Sequence, residues 1–396
     1  MDAYVLDWLN LVVRWFHLIA GIAWIGASFY FVMLDNSLSA PARADDARRG
    51  VAGELWAVHG GGFYVSQKFP TGPRGEVLTE NLHWSKWEAY TTWLSGMALL
   101  ALIYWIGASV YLIDPAVRAL TPAAAIAISA AFIAGGWIVY DGLCRALEGR
   151  ENVLAALVFL FVMASAWALF HLFGARAAFI HVGAMLGTMM VGNVFFHIIP
   201  GQKKVLSQLR AGETPDTRPG LVGKQRSVHN TYFTLPVLFV MISNHYPMTY
   251  GHPHGWLVLG VIMLAGVLIR QFFVLRHRGS VRWWLPVAGV GLLGGVAVAL
   301  APKPVDGGGE QVTFARVQAV LAERCLPCHA AQPTQAGFAQ PPKGVVLETV
   351  AQVAAAAPKI AETVGTRYMP IGNLTQMTDG ERALVAAWFA QGAPTR

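Results

Sequence analysis

Long apolar runs follow one another from the first residues of this chain to about 301, after which shorter apolar stretches recur at helical spacing among polar residues. Eight of the runs reach about 20 residues, enough for a helix to cross a hydrocarbon core of about 30 Å. They cover approximately 9–34, 88–112, 122–143, 152–172, 175–199, 229–246, 254–275 and 283–301. The segment 301–309, Ala-Pro-Lys-Pro-Val-Asp-Gly-Gly-Gly, is stiffened by proline and loosened by glycine, and the periodicity restarts after it. The pattern therefore predicts an all-α chain: an eight-helix transmembrane bundle over 1–301, a linker over 302–309 and a small helical domain over 310–396. In that domain Phe314, Val317, Val320 and Leu321 share one helical face, and Leu384, Val385 and Trp388 another. Residues 351–357 are low in complexity but helix-prone, and there is no internal repeat.

Composition supports a membrane protein, since 55% hydrophobic and 13% charged residues leave about half the charge of a soluble domain. The distribution of Lys and Arg gives its orientation. The connections 35–87, 144–151, 200–228 and 276–282 hold six, two, six and three basic residues, whereas the alternate connections hold only Arg118 and Arg176. The basic side faces the cytoplasm, so the N-terminus lies outside, and an even number of crossings returns the C-terminus there. The first run lacks a basic n-region and a cleavage site and is expected to remain as helix one. The predicted location is a membrane, crossed several times, with both termini on the side away from the cytoplasm and no nucleic-acid partner.

The C-terminal domain carries Cys325-Leu326-Pro327-Cys328-His329, the attachment sequence of a c-type haem. Cys325 and Cys328 would form the two thioethers and His329 the proximal iron ligand. A soft distal ligand is expected at Met369, in Tyr368-Met369-Pro370, rather than at Met377. Met377 directly precedes Thr378-x-x-Glu381, a capping box that should open the last helix. A zinc site would need a second ligand pair, and the remaining cysteine, Cys144, is remote in sequence. A class I-type cytochrome c domain is the reading, with the two apolar helix faces expected against the porphyrin and the covalent haem supplying apolar surface that so short a domain lacks. Attachment of such haems outside the cytoplasm agrees with the charge count.

A c-type haem moves single electrons, so substrate chemistry falls to the bundle. Topology sorts eleven of the twelve histidines into an outer layer (His17, His171, His181, His245, His252, His254) and an inner one (His59, His83, His197, His229, His277). Ionisable groups inside a membrane are costly, which makes intramembrane haem b a candidate second cofactor. His17 is its expected ligand, with Arg14 one turn away for a propionate and the partner open among His181, His245 and His229. The pairs His181/His197 and His229/His245 are sixteen residues apart, nearly on opposite faces of an ideal helix. The inner connections combine the Gly-rich stretch His59–Tyr64 with Gln67 and Lys68, Leu82–Glu88, Pro200–Lys204 and Arg226–Asn230, a composition suited to a planar anionic heterocycle. Basic residues there also serve topology and anionic lipid.

The stretches Arg14–Gly26, His59–Tyr64, Trp84–Tyr90 with Thr92–Gly96, Ile199–Lys204 and Ser227–Leu238 resemble the membrane-bound, cytochrome c-linked urate oxidases of bacteria, over nearly the whole chain. The resemblance implies oxidation of urate to 5-hydroxyisourate, with electrons passing to the chain's own haem and then to a soluble cytochrome or terminal oxidase, without direct peroxide formation. It hands over no agreed urate-binding residues. From the residues themselves, His229 is expected as base or orienting group, Asn230 and Gln67 as amide-edge partners, and Arg226 or Lys68 for the anionic edge; His229→Ala should then abolish urate oxidation. Because a cytoplasmic site would lie across the apolar core from the haem, either a second redox centre sits in the membrane or urate is oxidised near the outer face. A quinol:cytochrome c oxidoreductase, and a transporter or assembly protein with a fused cytochrome, are the competing readings.

Overall fold

A computed structural model of the chain describes residues 3–75, 78–277, 279–301 and 311–395; the expected linker 302–309 lies outside them. Each of the eight apolar runs is helical. In chain order the bundle comprises α1 (Ala3–Asn36), a short α2 (Ala44–Arg49), α3 (Trp87–Leu100), α4 (Pro122–Ala146), α5 (Glu151–Phe170), α6 (Ala175–Gly192), α7 (Ile199–Arg210), α8 (Arg218–Ser243), a single turn α9 (Pro247–Tyr250), α10 (Gly255–His277) and α11 (Trp284–Ala299). Among the described residues five helical stretches are long and apolar enough to cross a membrane: Tyr4–Asn36, Pro122–Ala146, Glu151–Phe170, Ala175–Arg210 and Gly255–Arg276. The others fall short for visible reasons. α3 passes into two wider π turns, Ala101–Trp105 and Ala108–Leu112, the first turn of α8 opens in polar residues, and α11 is apolar but short.

α6 is the hub. Ala177, Ala178, Phe179, His181, Val182, Met185 and Met189 are fully buried along it. Close approach is made possible by glycine: a Cβ at Gly136 of α4 would fall 2.3 Å from Met185, one at Gly192 2.5 Å from Trp137, and one at Gly183 2.6 Å from Val240 of α8. Small residues at helix crossings are the membrane way of gaining packing contact without a hydrophobic driving force. By contrast α1 leaves Trp8, Trp15, Phe16, Leu18, Ile19 and Ile22 exposed, as a lipid-facing helix does.

The all-α expectation needs one correction. The inner connection 35–87 contains an antiparallel hairpin, β1 (Gly53–His59) and β2 (Gly62–Lys68), paired from Gly53↔Lys68 to His59↔Gly62. Its two-residue turn is Gly60-Gly61, with φ of 58° and 81°. A tight hairpin turn needs positive φ at both central residues, which glycine adopts without steric cost. The glycine run thus has a folding reason and is not evidence of a ligand.

Residues 312–393 enclose a second, separate core. α12 (Phe314–Arg324), the one-turn α13 (Leu326–His329), α14 (Val350–Gly365) and α15 (Asp379–Ala390) pack Phe314, Val317, Leu321, Val353, Ile360, Val385 and Trp388 together. α15 opens with the anticipated capping box, Thr378 and Glu381 bonding reciprocally to each other's backbone N–H. A second box, Thr349 with Gln352, opens α14.

Candidate functional site

Arg226, His229 and Asn230 come together on α8, in a buried polar network that draws on α4 and the π turn Asn193–Ile198 between α6 and α7. Arg226 Nη2 donates to Asp141 Oδ1 at 2.6 Å, His197 Nε2 meets the same oxygen at 2.6 Å, and Arg145 Nε donates to Asp141 Oδ2 at 2.8 Å. Asn193 Nδ2 donates to Tyr140 Oη (2.9 Å) and Asn230 Oδ1 (2.8 Å), while Asn230 Nδ2 donates to the Met190 carbonyl (3.1 Å). His229 Nδ1 lies 2.8 Å from Tyr140 Oη, and its Nε2 lies 3.7 Å from Glu151. The Arg226 guanidinium covers the Tyr140 ring at 5.2 Å and is 2% exposed.

Three members of this network were not anticipated: Tyr140, Asp141 and Asn193. Asp141 carried a signal, being the lone charged residue before Arg145 in an otherwise apolar helix. Sequence geometry also set His181 and His197 on opposite helix faces, yet both bond to side chains of α4, Ser129 and Asp141. The π turn that begins at Asn193 changes the phase of the helix between them.

Gln67 and Lys68 are not part of this network. On β2, Gln67 Nε2 donates to Glu54 and Lys68 pairs with Asp35. The inner loops do converge elsewhere, around a cleft of about 500 Å³ lined by Trp84, Lys86, Lys203, Ser207, Arg210 and Glu80 among others. Its surplus of cations beside an indole fits an anionic headgroup on the basic side of the bundle.

For an intramembrane haem b the histidines fit only in part. His17 Nδ1 is held by the Thr92 carbonyl and Ser95 Oγ, both at 3.0 Å, which leaves Nε2 free of hydrogen bonds among the described residues. Gly96 makes room for the ring, since a Cβ there would come within 3.0 Å of it. Arg14 donates to Asn10. His181 has both nitrogens engaged, with Ala177 O and Ser129 Oγ at 2.7 Å each, and His229 is engaged as above, while His245 is exposed. Among the described residues His181, His229 and His245 do not supply a second ligand opposite His17.

The C-terminal residues fit a covalent c-type haem. Cys325 and Cys328 are not joined to each other, and burial pushes the Cys325 thiol up to about 12. His329 Nδ1 lies 2.9 Å from the Val345 carbonyl, a contact that would fix the tautomer and leave Nε2 available to a haem iron. Met369 is half-buried on a loop clamped by Arg382, whose Nη1 donates to the carbonyls of Val364 (2.9 Å) and Met369 (2.7 Å) and whose Nη2 donates to Asn373 (3.2 Å). Met377 is 3% exposed within the second core.

This loop docks on the end of the bundle that the charge count placed outside. A Cβ at Gly372 would fall 2.6 Å from Val110 O, and one at Gly251 would fall 2.0 Å from Thr366 O. Tyr368 packs on the bundle core. Asp114, at the end of the second π turn, faces Arg382 and Arg367, although burial outweighs them and holds its carboxyl above the ordinary value. The inner network lies at the other end: His229 and Asn244 are separated by fifteen residues of α8, or about 22 Å at about 1.5 Å per residue.

Among the described residues no group of three or more His, Cys, Asp or Glu side chains is placed to hold a metal ion. No curated protein and no solved structure matches the chain. Residues 3–301, the whole described bundle, match the family described as urate oxidase N-terminal, and the chain belongs to that family.

Proposed function

We propose that this chain is a membrane-bound urate oxidase that delivers its electrons to a c-type haem held by its own C-terminal domain. The observation that carries the reading is the docking of the Met369 loop, through Tyr368, Gly372 and Thr366, onto the bundle that belongs to the urate oxidase family. In this reading all eight helical runs cross the bacterial inner membrane, and both termini are periplasmic.

The reaction balances as urate plus water giving 5-hydroxyisourate, two protons and two electrons. Cys325, Cys328, His329 and Met369 would hold the c-type haem, which would supply one-electron transfer toward a soluble cytochrome or terminal oxidase. The bundle binds and orients urate, and the Arg382 clamp fixes the Met369 loop against it. Arg226, His229 and Asn230 are read as groups that keep the inner half of the bundle rigid. Their polar atoms are largely spent on one another, and they lie about 22 Å along α8 from the docked end.

Adding urate anaerobically to the purified full chain should reduce the c-type haem, seen as growth of its reduced absorption bands, with 5-hydroxyisourate formed in step. A haem that stays oxidised with urate but is reduced by quinol would refute the proposal in favour of a quinol:cytochrome c oxidoreductase.

A further inference from the structure

Arg176 is one of only two basic residues in the outer connections, and neither topology nor helix energetics explains it. It lies in the first turn of α6, where the helix dipole already presents positive charge and disfavours a cation. No side chain caps that terminus and no acidic residue occupies its first turn. Among the described residues Arg176 has no carboxylate partner. Its Nε donates to Asn244 Oδ1 at 2.8 Å, and its guanidinium covers the Tyr111 ring at 5.9 Å.

Tyrosines surround it. Tyr104, Tyr111, Tyr250 and Tyr368 all lie within electrostatic reach of the guanidinium. Tyr104 and Tyr250 are each 3% exposed; the Tyr250 hydroxyl has no partner among the described residues, and the Tyr104 hydroxyl meets the Arg176 guanidinium alone. A buried hydroxyl without a partner is costly, so the Tyr250 hydroxyl together with a guanidinium that has no carboxylate beside it and touches the Tyr104 hydroxyl forms a site prepared for an acceptor-rich anion. Tyr368 belongs to the C-terminal domain and directly precedes Met369, which puts the site under the docked loop.

We propose that Arg176, Tyr104 and Tyr250, oriented by Asn244 and walled by Tyr111 and Tyr368, form the binding site for the urate monoanion. The inference rests on the urate oxidase reading and deepens it by placing the substrate at the outer end of the bundle. Arg176 offers its fork of N–H donors to the anionic edge, as guanidinium does for planar anions. The tyrosine hydroxyls donate to ring carbonyl oxygens, and Tyr111 supplies a flat aromatic wall. Oxidation at this place needs no redox centre in the apolar core, because the electrons start beside the domain that receives them.

The test uses the full chain in detergent, with wild type, Arg176→Gln, Arg176→Lys and the double variant Tyr104→Phe/Tyr250→Phe. Urate KM is read from anaerobic haem reduction, and reduction by ascorbate reports the cytochrome independently. Arg176→Gln should raise KM at least tenfold, Arg176→Lys by less, and the tyrosine double variant several-fold, all with ascorbate-reducible haem unchanged. An unchanged KM in Arg176→Gln, or in the tyrosine variant should the arginine variant not fold, overturns the site. A shifted haem potential with unchanged KM also overturns it, by pairing Arg176 with a haem carboxylate. If wild type itself fails to respond to urate, the fault lies in the proposed function and not in the location of the site.

Discussion

Asp141 holds three cationic or imidazole groups on two oxygens, and its removal tests how the inner half of the bundle is stabilised. In Asp141→Asn the geometry survives but the charge does not. Arg226, 2% exposed, can then still donate to a neutral amide oxygen and to Asn193 Oδ1 at 3.4 Å and covers the Tyr140 ring, but it has lost its counter-charge. Breaking a buried pair by removing one partner costs about 3–5 kcal/mol, because a desolvated charge is left uncompensated. The third partner should matter far less: the Arg145 side chain is 71% exposed, and an ion pair of that kind contributes about 0–1 kcal/mol. Denaturation of the purified chain in mixed micelles, followed by circular dichroism, should therefore separate Asp141→Asn from Arg145→Gln by at least 2 kcal/mol. Adding Arg226→Met to Asp141→Asn should recover at least half of the loss, since the unpaired cation disappears with it. If Asp141→Asn unfolds within about 1 kcal/mol of wild type, the network is not the electrostatic anchor argued here.

Further expectations concern the two ends of the molecule. His229→Ala should lower stability yet leave the urate KM of the folded protein unchanged; loss of urate-driven reduction with haem c intact would return His229 to the mechanism. Gly251 has an ordinary backbone conformation but abuts Thr366, so Gly251→Val should block docking and slow urate-driven haem reduction at least tenfold while ascorbate reduction proceeds normally. Arg382→Leu removes the clamp on the Met369 loop and should weaken the methionine–iron charge-transfer absorption and lower the haem potential; an unaltered spectrum would argue for another distal ligand. Glu381 is pushed up by burial, but the Thr378 N–H and Arg324 outweigh this and hold its carboxyl below the ordinary 4.5. Its contribution is therefore present above about pH 4.5 and lost as pH falls through the lower folded value. Acid unfolding of the C-terminal domain should accordingly become less steep in Glu381→Gln, a change readable by fluorescence of Trp388.

What the sequence could reveal depended on whether a feature was local. The eight helical runs and the capping box at Thr378 follow from patterns within one element and appear where expected, and the apolar faces of α12 and α15 are formed and pack on one another. The hairpin was hidden because its strands are short and its glycines invite a ligand reading; only pairing across Gly60-Gly61 shows that they make a turn. His181 and His197 were misplaced relative to each other because a uniform 100° step ignores a π turn. The polar network needed residues from α4, α6 and α8 at once, and only Asp141 announced itself along the chain. Arg176 shows the limit from the other side. Counting charges found it as an exception to the positive-inside rule, but an exception has no meaning until its surroundings are known. Those surroundings, two buried tyrosine hydroxyls from distant segments and a tyrosine from the docked domain, exist only in the folded chain. A charge at odds with topology, dipole preference and ion pairing together carries three costs, and an anion bound beside it offsets all three.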